Sequence, residues 1–441
     1  MKRYGLKALA ALALLLPAAG FSADKDPGFV RVRGTGFEIA GQPYNYLGAN
    51  FWYGINLGSK GPGGDRARLQ RELDRLQAMG VTNLRIVGAS EGPNTEPWRM
   101  VPALQTKPGV YDPELLQGLD FLLAEMGKRG MKAVVVLNDF WPWSGGMAQY
   151  VKWSQGLDIP YPPPAEGGTW DGYQKFAAKF YTDAKAVKNF NKVVKALVTR
   201  TNSITKQPYK DDPTIMSWQL ANEPRGMDNK AAFEKWIDDT AALIKSLDRN
   251  HLVTTGCEGD TPWPKDNGLD FIRDHSSPNI DYATIHIWVQ NWGWYDPAKD
   301  RDNVAEAQKK FFDYFDAHKQ LAARLGKPLV LEEFGLARDN GVFDPSAAAS
   351  VRSKFYAAVF EKVYEAAKSG SPVAGVNFWA WSGEARPPKP GAIWKPGDPF
   401  IGDPPHELQG WYGVYADDAE TVKTIMEWAA KLSSVAKAKT P

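Results

Sequence analysis

The sequence is poor in cysteine and histidine, and each shortage excludes a class of protein. Cys257 is the only cysteine among 441 residues, so no disulfide can form within the chain. Its stability must therefore come from a packed core. The five histidines are scattered and lack the close spacing of a zinc hydrolase motif. We expect neither a metal ion nor a cofactor.

The chain also lacks an excess of either charge. Its 53 basic residues nearly balance its 51 acidic ones, for a net charge of +2. Nothing in this balance favours nucleic acid or an anionic membrane as a partner.

Long apolar runs are missing as well. The one marked run, 8–19, follows Lys2, Arg3 and Lys7 and leads into small residues. It is shorter than the roughly 20 residues that span a bilayer. We therefore predict that residues 1–23 are a secretory signal peptide, that the protein is secreted or periplasmic, and that it has no membrane anchor.

Aromatic residues, by contrast, are abundant: the sequence has 17 Trp, 17 Tyr and 20 Phe. Many of the tryptophans fall in stretches that are rich in proline and glycine: Trp141, Trp143, Trp153, Trp170, Trp263, Trp292, Trp294, Trp394 and Trp411. Such a set suggests a surface that stacks on flat apolar faces, such as those of sugar rings.

Short apolar runs typical of buried strands alternate with amphipathic helical patterns. The strand-like runs are 46–50, 82–88, 132–138, 214–220, 251–256, 282–288, 328–334 and 373–379. The helical patterns are 65–79, 113–129, 173–199, 230–247, 303–325, 347–368 and 417–436, with only a weak one between 256 and 282. This alternation indicates a parallel sheet covered on both faces.

Eight such units predict an α/β fold, a (β/α)8 TIM barrel, with residues 24–441 as a single catalytic domain. Long loops follow several strands at the C-terminal face: 88–112, 138–172, 288–302 and 380–416. A doubly wound open sheet is the alternative fold. Against it, GANFWYG after the first strand lacks the glycine spacing of a phosphate-binding turn.

Polar side chains cluster at the C-terminal ends of the predicted strands, where active sites of such barrels lie. The stretch SWQLANEPRG, residues 217–226, places Asn222 and Glu223 at the end of the fourth strand, and Glu333 ends the seventh. Other strand ends carry Arg85, Asn138, Asp139, Glu258, His286, Trp379 and Trp381. Glu223 and Glu333 can face each other across the barrel mouth, whereas Glu332, one residue away, is expected to point to the opposite face.

Two opposed carboxyl groups are what hydrolysis of a glycosidic bond requires. One donates a proton to the leaving oxygen, and the other attacks the anomeric carbon. A separation of about 5–5.5 Å gives retention, and a wider gap admits water and gives inversion. We expect the pKa of Glu223 to be raised and Glu333 to stay ionised with the help of Arg85.

These motifs resemble those of glycoside hydrolase family 5, and within it the β-mannanase subfamily. The resemblance extends over nearly all of the mature chain and is carried by the stretches 47–52, 83–88, 136–153, 218–226, 255–259, 284–288, 331–335, 378–383 and 402–418. It implies retaining cleavage of β-1,4-mannosidic bonds in mannan, glucomannan or galactomannan, with Glu223 as acid/base and Glu333 as nucleophile. It implies substrate binding by Arg85, Asn222, His286, Trp288, Trp379, Trp52, Asn138, Trp141 and Glu258.

One position departs from the family pattern. Trp288 stands two residues after His286, where the family usually has a tyrosine that touches the nucleophile. An indole N–H can donate one hydrogen bond but has no titratable hydroxyl. Trp288 is therefore either a donor to Glu333 or a stacking wall, and we expect the wall, because a bulkier ring need not place its N–H where a tyrosine hydroxyl lies.

Other functions stay open. A cellulase or other β-glucan hydrolase shares the core residues, and SGGMAQYVKW, residues 144–153, favours mannan only by resemblance. An exo-acting enzyme that releases mannobiose is a further alternative, since the long loops could either close one end of a cleft or extend it. A non-catalytic carbohydrate-binding protein is disfavoured, because binding alone needs no opposed acids. We expect a monomer that binds β-mannan polysaccharide or oligosaccharide.

Overall fold

Eight parallel strands form the centre of the computed structural model, which describes Met1 and residues 28–298 and 303–438. They are β1 (Tyr46–Asn50), β2 (Asn83–Val87), β3 (Lys132–Val136), β4 (Ile215–Gln219), β5 (Leu252–Thr254), β6 (Ala283–Ile287), β7 (Leu329–Phe334) and β8 (Val373–Phe378). Their order in the sheet is β5-β4-β3-β2-β1-β8-β7-β6. Nearly all of their residues are buried, as their apolar sequences predict.

Individual hydrogen bonds join the two edges of this sheet, β5 and β6. The backbone N–H of Asp281 donates to the carbonyl of Val253 (2.8 Å), and the N–H of His286 donates to that of Glu258 (3.0 Å). The Thr254 hydroxyl also donates to the carbonyl of Tyr282 (2.9 Å). The sheet thus curls into the predicted (β/α)8 barrel, and the predicted fold is confirmed.

Helices follow the strands around the barrel: α1 (Arg66–Ala78), α2 (Pro113–Lys128), α3 (Ala184–Val198), α4 (Lys230–Leu247), α5 (Phe271–His275), α6 (Val304–Leu325), α7 (Ser350–Lys368) and α8 (Ala419–Ala438). Local sequence sets their starts. Asp112 caps α2 by accepting the N–H groups of Glu114 and Leu115, and Pro113 fills its first position. None of the described helices combines the length and apolar character needed to cross a membrane.

The helix predicted over 173–199 is wrong as one element. The chain instead forms a helix over Trp170–Ala177, a 3-10 turn over Ala178–Thr182, and then α3. Asp183 makes the break, because its side chain accepts the N–H groups of Lys185 and Ala186 and starts a new helix. The weak helical region between 256 and 282 contains only Pro264–Asn267 and α5.

The two ends of the barrel differ. A small antiparallel sheet, Val30–Arg33, Gly36–Ile39 and Gln42–Tyr44, covers the N-terminal end and packs Val30 and Phe37 on the barrel interior. The C-terminal end carries the long loops. Residues 2–23 of the predicted signal peptide lie outside the described residues, so that prediction remains one.

Candidate active site

Glu223 and Glu333 meet at the C-terminal mouth of the barrel. Glu333 lies in β7, and Glu223 lies four residues beyond the end of β4, where its N–H donates to the carbonyl of Gly256 (3.0 Å). Their exposed fractions are only 7% and 3%. A carboxylate oxygen of each and a ring nitrogen of His286 all lie within 4.8 Å of one another.

Arg85 on β2 fixes one side of this pair from inside the barrel. Its guanidinium donates to Asn50 Oδ1 (3.0 Å), Gln219 Oε1 (2.7 Å) and Asn222 Oδ1 (2.7 Å). A further N–H donates to Glu333 Oε1. These four acceptors, which lie on β1, on β4, just beyond β4 and on β7, hold the guanidinium in one orientation, so that its charge is directed at Glu333.

Glu332 does not point away from the site, and that expectation is wrong. The pairing of β6 with β7 shifts after Ile285, so that Leu331 pairs with Ile285 and Glu333 pairs with His286. The extra residue, Glu332, forms a bulge that turns it into the barrel. There its carboxylate accepts a hydrogen bond from Gln219 and lies 3.5 Å from Arg85 Nε.

His286 and Trp141 contact the other carboxyl group. His286 Nδ1 lies 2.6 Å from Glu223 Oε1 and 3.4 Å from Glu333 Oε2. The indole N–H of Trp141, from the loop after β3, donates to Glu223 Oε2 (2.5 Å). Both oxygens of Glu223 therefore have polar partners, and His286 lies close to both acids.

The pKa values in this cluster differ from those expected from sequence. Burial raises the pKa of Glu333 to about 7, against the positive charges of His286 and Arg85. Burial also opposes ionisation of Glu223, but the hydrogen bond and charge of His286 lower its pKa below the usual value. Burial would lower the pKa of His286, yet the charges and hydrogen bonds of the surrounding glutamates raise it to about 10. These shifts favour protonation of His286 over protonation of Glu223.

Aromatic side chains line the cavity above these acids, whose volume is about 730 Å³. The rings of Trp288 and Trp379 meet edge to face with centroids 6.0 Å apart, and Tyr412 packs on Trp288 at 4.9 Å. Trp288 Nε1 donates to Glu333 Oε2 (3.3 Å). Its ring is thus a wall of the cavity, as expected, but its N–H also reaches Glu333, which was not expected.

Not all of the predicted substrate-binding residues reach the cavity. It is lined by Asn222, Trp141, Glu258, Trp288 and Trp379 as well as the two acids. Trp52 is instead buried under the loop after β8, where its N–H donates to the carbonyl of Gly402 (2.9 Å). Asn138 accepts the N–H of Asp139 (2.9 Å) and is 1% exposed. Like Arg85 and His286, these two residues do not line the cavity, and direct substrate contact by them stays a prediction.

Arg225 is a cavity residue that the sequence analysis missed. It forms two hydrogen bonds with Glu258 (2.8 and 3.0 Å), and its guanidinium lies 4.9 Å from the ring centre of Trp141. It also donates to Gln174 Oε1 (2.7 Å). In the sequence, only its position directly after Asn222, Glu223 and Pro224 marks Arg225 as a candidate site residue.

The cluster also has the ligand types of a metal site. Among the residues the structure describes, Glu223, His286 and Glu333 are the one group of three such side chains close enough to share an ion. Their oxygens, however, already accept hydrogen bonds from Arg85, Trp141 and Trp288. A fixed guanidinium beside Glu333 also opposes a second cation there.

Paired carboxyl groups at the mouth of a tryptophan-lined (β/α)8 barrel define the class of glycoside hydrolases. A family model described as "GH family 5 beta-mannosidase-like" matches residues 27–437. The chain belongs to this family, as the sequence motifs indicate.

Relatives with curated names support the same placement. The chain is 34% identical over 390 residues to "Putative mannan endo-1,4-beta-mannosidase 9" of Oryza sativa subsp. japonica, covering 85% of this chain and 87% of the relative. It is 32% identical over 395 residues to "Mannan endo-1,4-beta-mannosidase 7" of Arabidopsis thaliana, covering 86% and 84%.

A solved structure is more similar still. The glycoside hydrolase family 5 mannosidase from Rhizomucor miehei is 40% identical to this chain, with a TM-score of 0.86, and the match covers 94% of this chain and 99% of the other. A mutant of that mannosidase has been solved in complex with mannosyl-fructose.

Proposed function

We propose that the protein hydrolyses β-1,4-mannosidic bonds of mannan-type polysaccharides or oligosaccharides with retention of anomeric configuration. The observation that carries this proposal is the approach of the two acids, whose nearest oxygens lie within 4.8 Å. This spacing is nearer to the about 5–5.5 Å of retaining enzymes than to the about 6.5–9.5 Å at which an inverting enzyme admits water for direct attack.

In this proposal Glu333 is the nucleophile. Its carboxylate attacks the anomeric carbon and forms a covalent glycosyl ester, which water then hydrolyses. Arg85 and Trp288 both donate hydrogen bonds to Glu333 and stabilise its ionised form before the attack. Because burial raises the pKa of Glu333 to about 7, attack is faster above this pH than below it.

Glu223 acts first as general acid and then as general base. His286 supplies the proton that Glu223 donates in the first step. At 2.6 Å from Glu223 Oε1, the imidazolium can pass its proton to the carboxylate as the glycosidic bond breaks. Glu223 gives this proton to the leaving oxygen and later removes one from the attacking water. The raised pKa of His286, about 10, keeps the proton available over the neutral range.

The preference for mannose rests on the relatives. The curated ones are named as mannan endo-1,4-beta-mannosidases, and the similar solved structure is named as a mannosidase. Trp141, Trp288 and Trp379 line the cavity and offer faces and edges for sugar rings. A β-glucan hydrolase would share these features, so mannan, glucomannan and cellulose must be compared as substrates.

Two variants test the roles of the acids. We expect Glu223→Gln and Glu333→Gln each to lower turnover of mannan by at least about a hundredfold while leaving thermal unfolding cooperative. With an aryl mannoside whose leaving group needs no acid, the Glu223 variant should still form the glycosyl intermediate and then stall. NMR should show the β-anomer as the first product of the wild type.

Glu166→Gln is the matched control, because Glu166 is an exposed acid on the loop after β3 that does not line the cavity. Its activity should equal that of the wild type. Polymer turnover near the wild-type rate in either catalytic variant, or an α-anomeric first product, would refute the proposed mechanism.

We also propose that the protein is exported and that residues 24–441 act as one monomeric catalytic unit. The basic residues followed by the apolar run 8–19 support export. N-terminal sequencing of the protein recovered outside the cytoplasm should begin near residue 23 or 24, and its sedimentation should give the mass of one chain. An N-terminus at Met1 in that fraction would contradict the cleavage.

A further inference from the structure

The cavity over the catalytic acids is one-sided. Apart from Glu333, which lies in β7, the described residues that line it come from the segments after β3 to β8, and none comes from the loops after β1 and β2. Above those two strands lies the loop that follows β8. There, Phe400 packs on Trp52 with ring centroids 5.7 Å apart, and its carbonyl accepts a hydrogen bond from Arg68 (2.9 Å).

The same loop crosses toward the loop after β3 on the other side of the mouth. The ring of His406 meets Trp170 edge to face at 5.9 Å, and Trp170 meets Trp141 in the same way at 5.5 Å. Since Trp141 donates to Glu223, this row of rings connects the loop after β8 with the residues around the catalytic pair. The loop therefore forms both an end wall and part of a roof.

The part of this loop that crosses the mouth, residues 403–412, is held by hydrogen bonds of its own polar side chains. The buried Asp403 accepts the N–H groups of Gly410 (3.0 Å) and Tyr412 (2.7 Å). The side-chain amide of Gln409 donates to the carbonyls of Asp403, Pro404 and Glu407 (3.0, 3.0 and 3.2 Å). These bonds fix residues 403–412 in place, so that the side chains between them have defined positions.

Two polar atoms of this segment are left without a partner. His406 and Glu407 both line the cavity. Within the described structure, His406 Nδ1 and Glu407 Oε2 are buried and have no hydrogen-bond partner. A buried polar atom without a partner is destabilising and calls for an explanation. In a cleft lined by tryptophans, sugar hydroxyls are the partners that fit.

The surroundings of both side chains disfavour their charged forms. Burial and the negative charges of Asp403, Glu333 and Glu223 raise the pKa of Glu407 well above its usual value. Burial alone lowers the pKa of His406 to about 3. A neutral carboxylic acid and a neutral imidazole each offer a donor and an acceptor, which suits hydroxyl groups better than a charged ligand.

The closed side of the cleft is the side above β1 and β2, which the loop after β8 covers. In the proposed mechanism it binds one end of the substrate. Glu223, just beyond β4, protonates the leaving oxygen in the proposed mechanism, so the leaving part of the chain extends over β4 and β5. That side is open and carries Trp263, which is 50% exposed. The sugar that is transferred to Glu333 then lies toward the other side, where the loop after β8 covers β1 and β2.

We propose that Glu407 and His406 form the closed end of the cleft and hydrogen-bond the hydroxyls of a terminal, non-reducing mannose unit, so that the enzyme acts on chain ends and short oligosaccharides. This inference rests on the proposed hydrolysis of mannosidic bonds and names its specificity-determining residues. It predicts release of sugars from one end in place of cleavage at internal bonds.

The first test is the time course of products from mannotetraose reduced at one end. We expect the wild type to release free mannose from the first minutes and to shorten the labelled fragment one unit at a time. With mannan, reducing ends should accumulate with little loss of viscosity. An initial mixture of internal fragments would overturn the chain-end inference and leave the hydrolysis intact. No products at all, as for Glu333→Gln, would instead refute the proposed function.

The second test uses Glu407→Gln and Glu407→Ala. Each should raise the KM for mannobiose about tenfold, the effect of one or two lost hydrogen bonds, while kcat changes by less than about threefold. Calorimetric titration of mannobiose into the Glu333→Gln variant, with and without Glu407→Gln, measures the same loss without turnover. Glu166→Gln is the control and should not change KM. An unchanged KM in a Glu407 variant that unfolds at the wild-type temperature would overturn the assignment.

Discussion

At the residue scale, the site depends on a strained backbone at Glu223. Its φ is +48°, in the left-handed region that few residues other than glycine adopt. The N–H of Glu223 donates to Gly256 and that of Asn222 donates to the carbonyl of Asn138 (2.9 Å), so both neighbouring strands hold this turn. Strain of this kind is kept at functional sites, and here it lets Glu223 reach both His286 and Trp141.

Trp288 provides the sharpest prediction at this scale. Trp288→Phe removes the hydrogen bond to Glu333 Oε2 (3.3 Å) and keeps most of the cavity wall. A bond to a charged group contributes about 1.5–3 kcal/mol, so we expect kcat/KM to fall about ten- to a hundredfold. Because the lost donor favoured the ionised form, the pKa of Glu333 should rise. The acidic limb of the pH profile of kcat/KM, near 7 in the wild type, should move to higher pH by about one unit.

Trp288→Tyr is the matched control, since it restores a hydroxyl donor at the position where the family usually has one. It should keep the acidic limb close to that of the wild type. A Phe variant with wild-type kcat/KM and an unmoved acidic limb would show that the indole N–H has no part in catalysis and that Trp288 serves only as a wall.

Sequence reasoning predicted the pair of acids that the structure brings together, but not all of their partners. Glu223 and Glu333 follow from short motifs at strand ends, which fix both residue type and position. Trp52 and Asn138 were assigned to substrate because a strand-end pattern does not show which side chain another loop will cover. The stretch 402–418 was recognised only as part of the family resemblance, and Glu407 was not singled out within it, because its setting depends on contacts between loops that are distant in sequence.

At the element scale, the loop after β8 is attached to α1 through one buried acid. Glu72 has no exposed surface, and its carboxylate accepts the indole N–H of Trp381 (3.0 Å) and the backbone N–H of Glu384 (2.8 Å). Arg68 and Arg75 on the same helix contact it as well, at 3.4 and 3.2 Å. This acid therefore fixes the start of the loop that closes the cleft.

Replacing Glu72 should loosen this attachment. Glu72→Ala leaves a buried arginine and two N–H donors without their acceptor, so we expect a loss of about 3–5 kcal/mol in the free energy of unfolding. Urea denaturation measures the loss, and the KM for mannobiose should rise with it. Asp74→Ala is the control on the same helix, because the Asp74 side chain is 64% exposed and its ion pair contributes at most about 1 kcal/mol. Equal stability of the two variants would contradict the role of Glu72.

The elements themselves were largely predictable, because each strand is a continuous apolar run and each long helix has one apolar face. The exception is the break in the predicted helix near residue 183, which has a local cause. The apolar spacing of a helix continues through this region, but Asp183 caps a new helix there. The bulge at Glu332 could not be predicted for another reason. It arises from the pairing of β6 with β7 and not from the sequence of either strand.

At the scale of the whole molecule, the barrel must close between β5 and β6 although β5 has only three residues. Lys327, just before β7, supports this closure from the N-terminal side. Its ammonium group donates to the carbonyls of His275 (2.6 Å), Ser277 (2.8 Å) and Ile280 (2.6 Å). These carbonyls belong to the segment that leads from α5 into β6. The Lys327 side chain therefore fixes the position at which the chain enters β6.

Lys327→Met should therefore destabilise the protein without changing the chemistry of the site. The methionine keeps much of the apolar stem but leaves three carbonyls without their donor, and we expect the free energy of unfolding to fall by about 1.5–3 kcal/mol. Burial lowers the pKa of Lys327 to about 8, below its value in the unfolded chain, so Lys327 itself makes the wild type more stable as the pH rises from about 8 toward 10. The difference in the free energy of unfolding between wild type and variant should then grow over that pH range in urea denaturation, with kcat on mannobiose unchanged.

Lys309→Met is the control, at a side chain on α6 that is 74% exposed. Its free energy of unfolding should stay within about 0.5 kcal/mol of that of the wild type at every pH. If Lys327→Met matched this control, the closure of the barrel would have to depend on the β5–β6 hydrogen bonds alone.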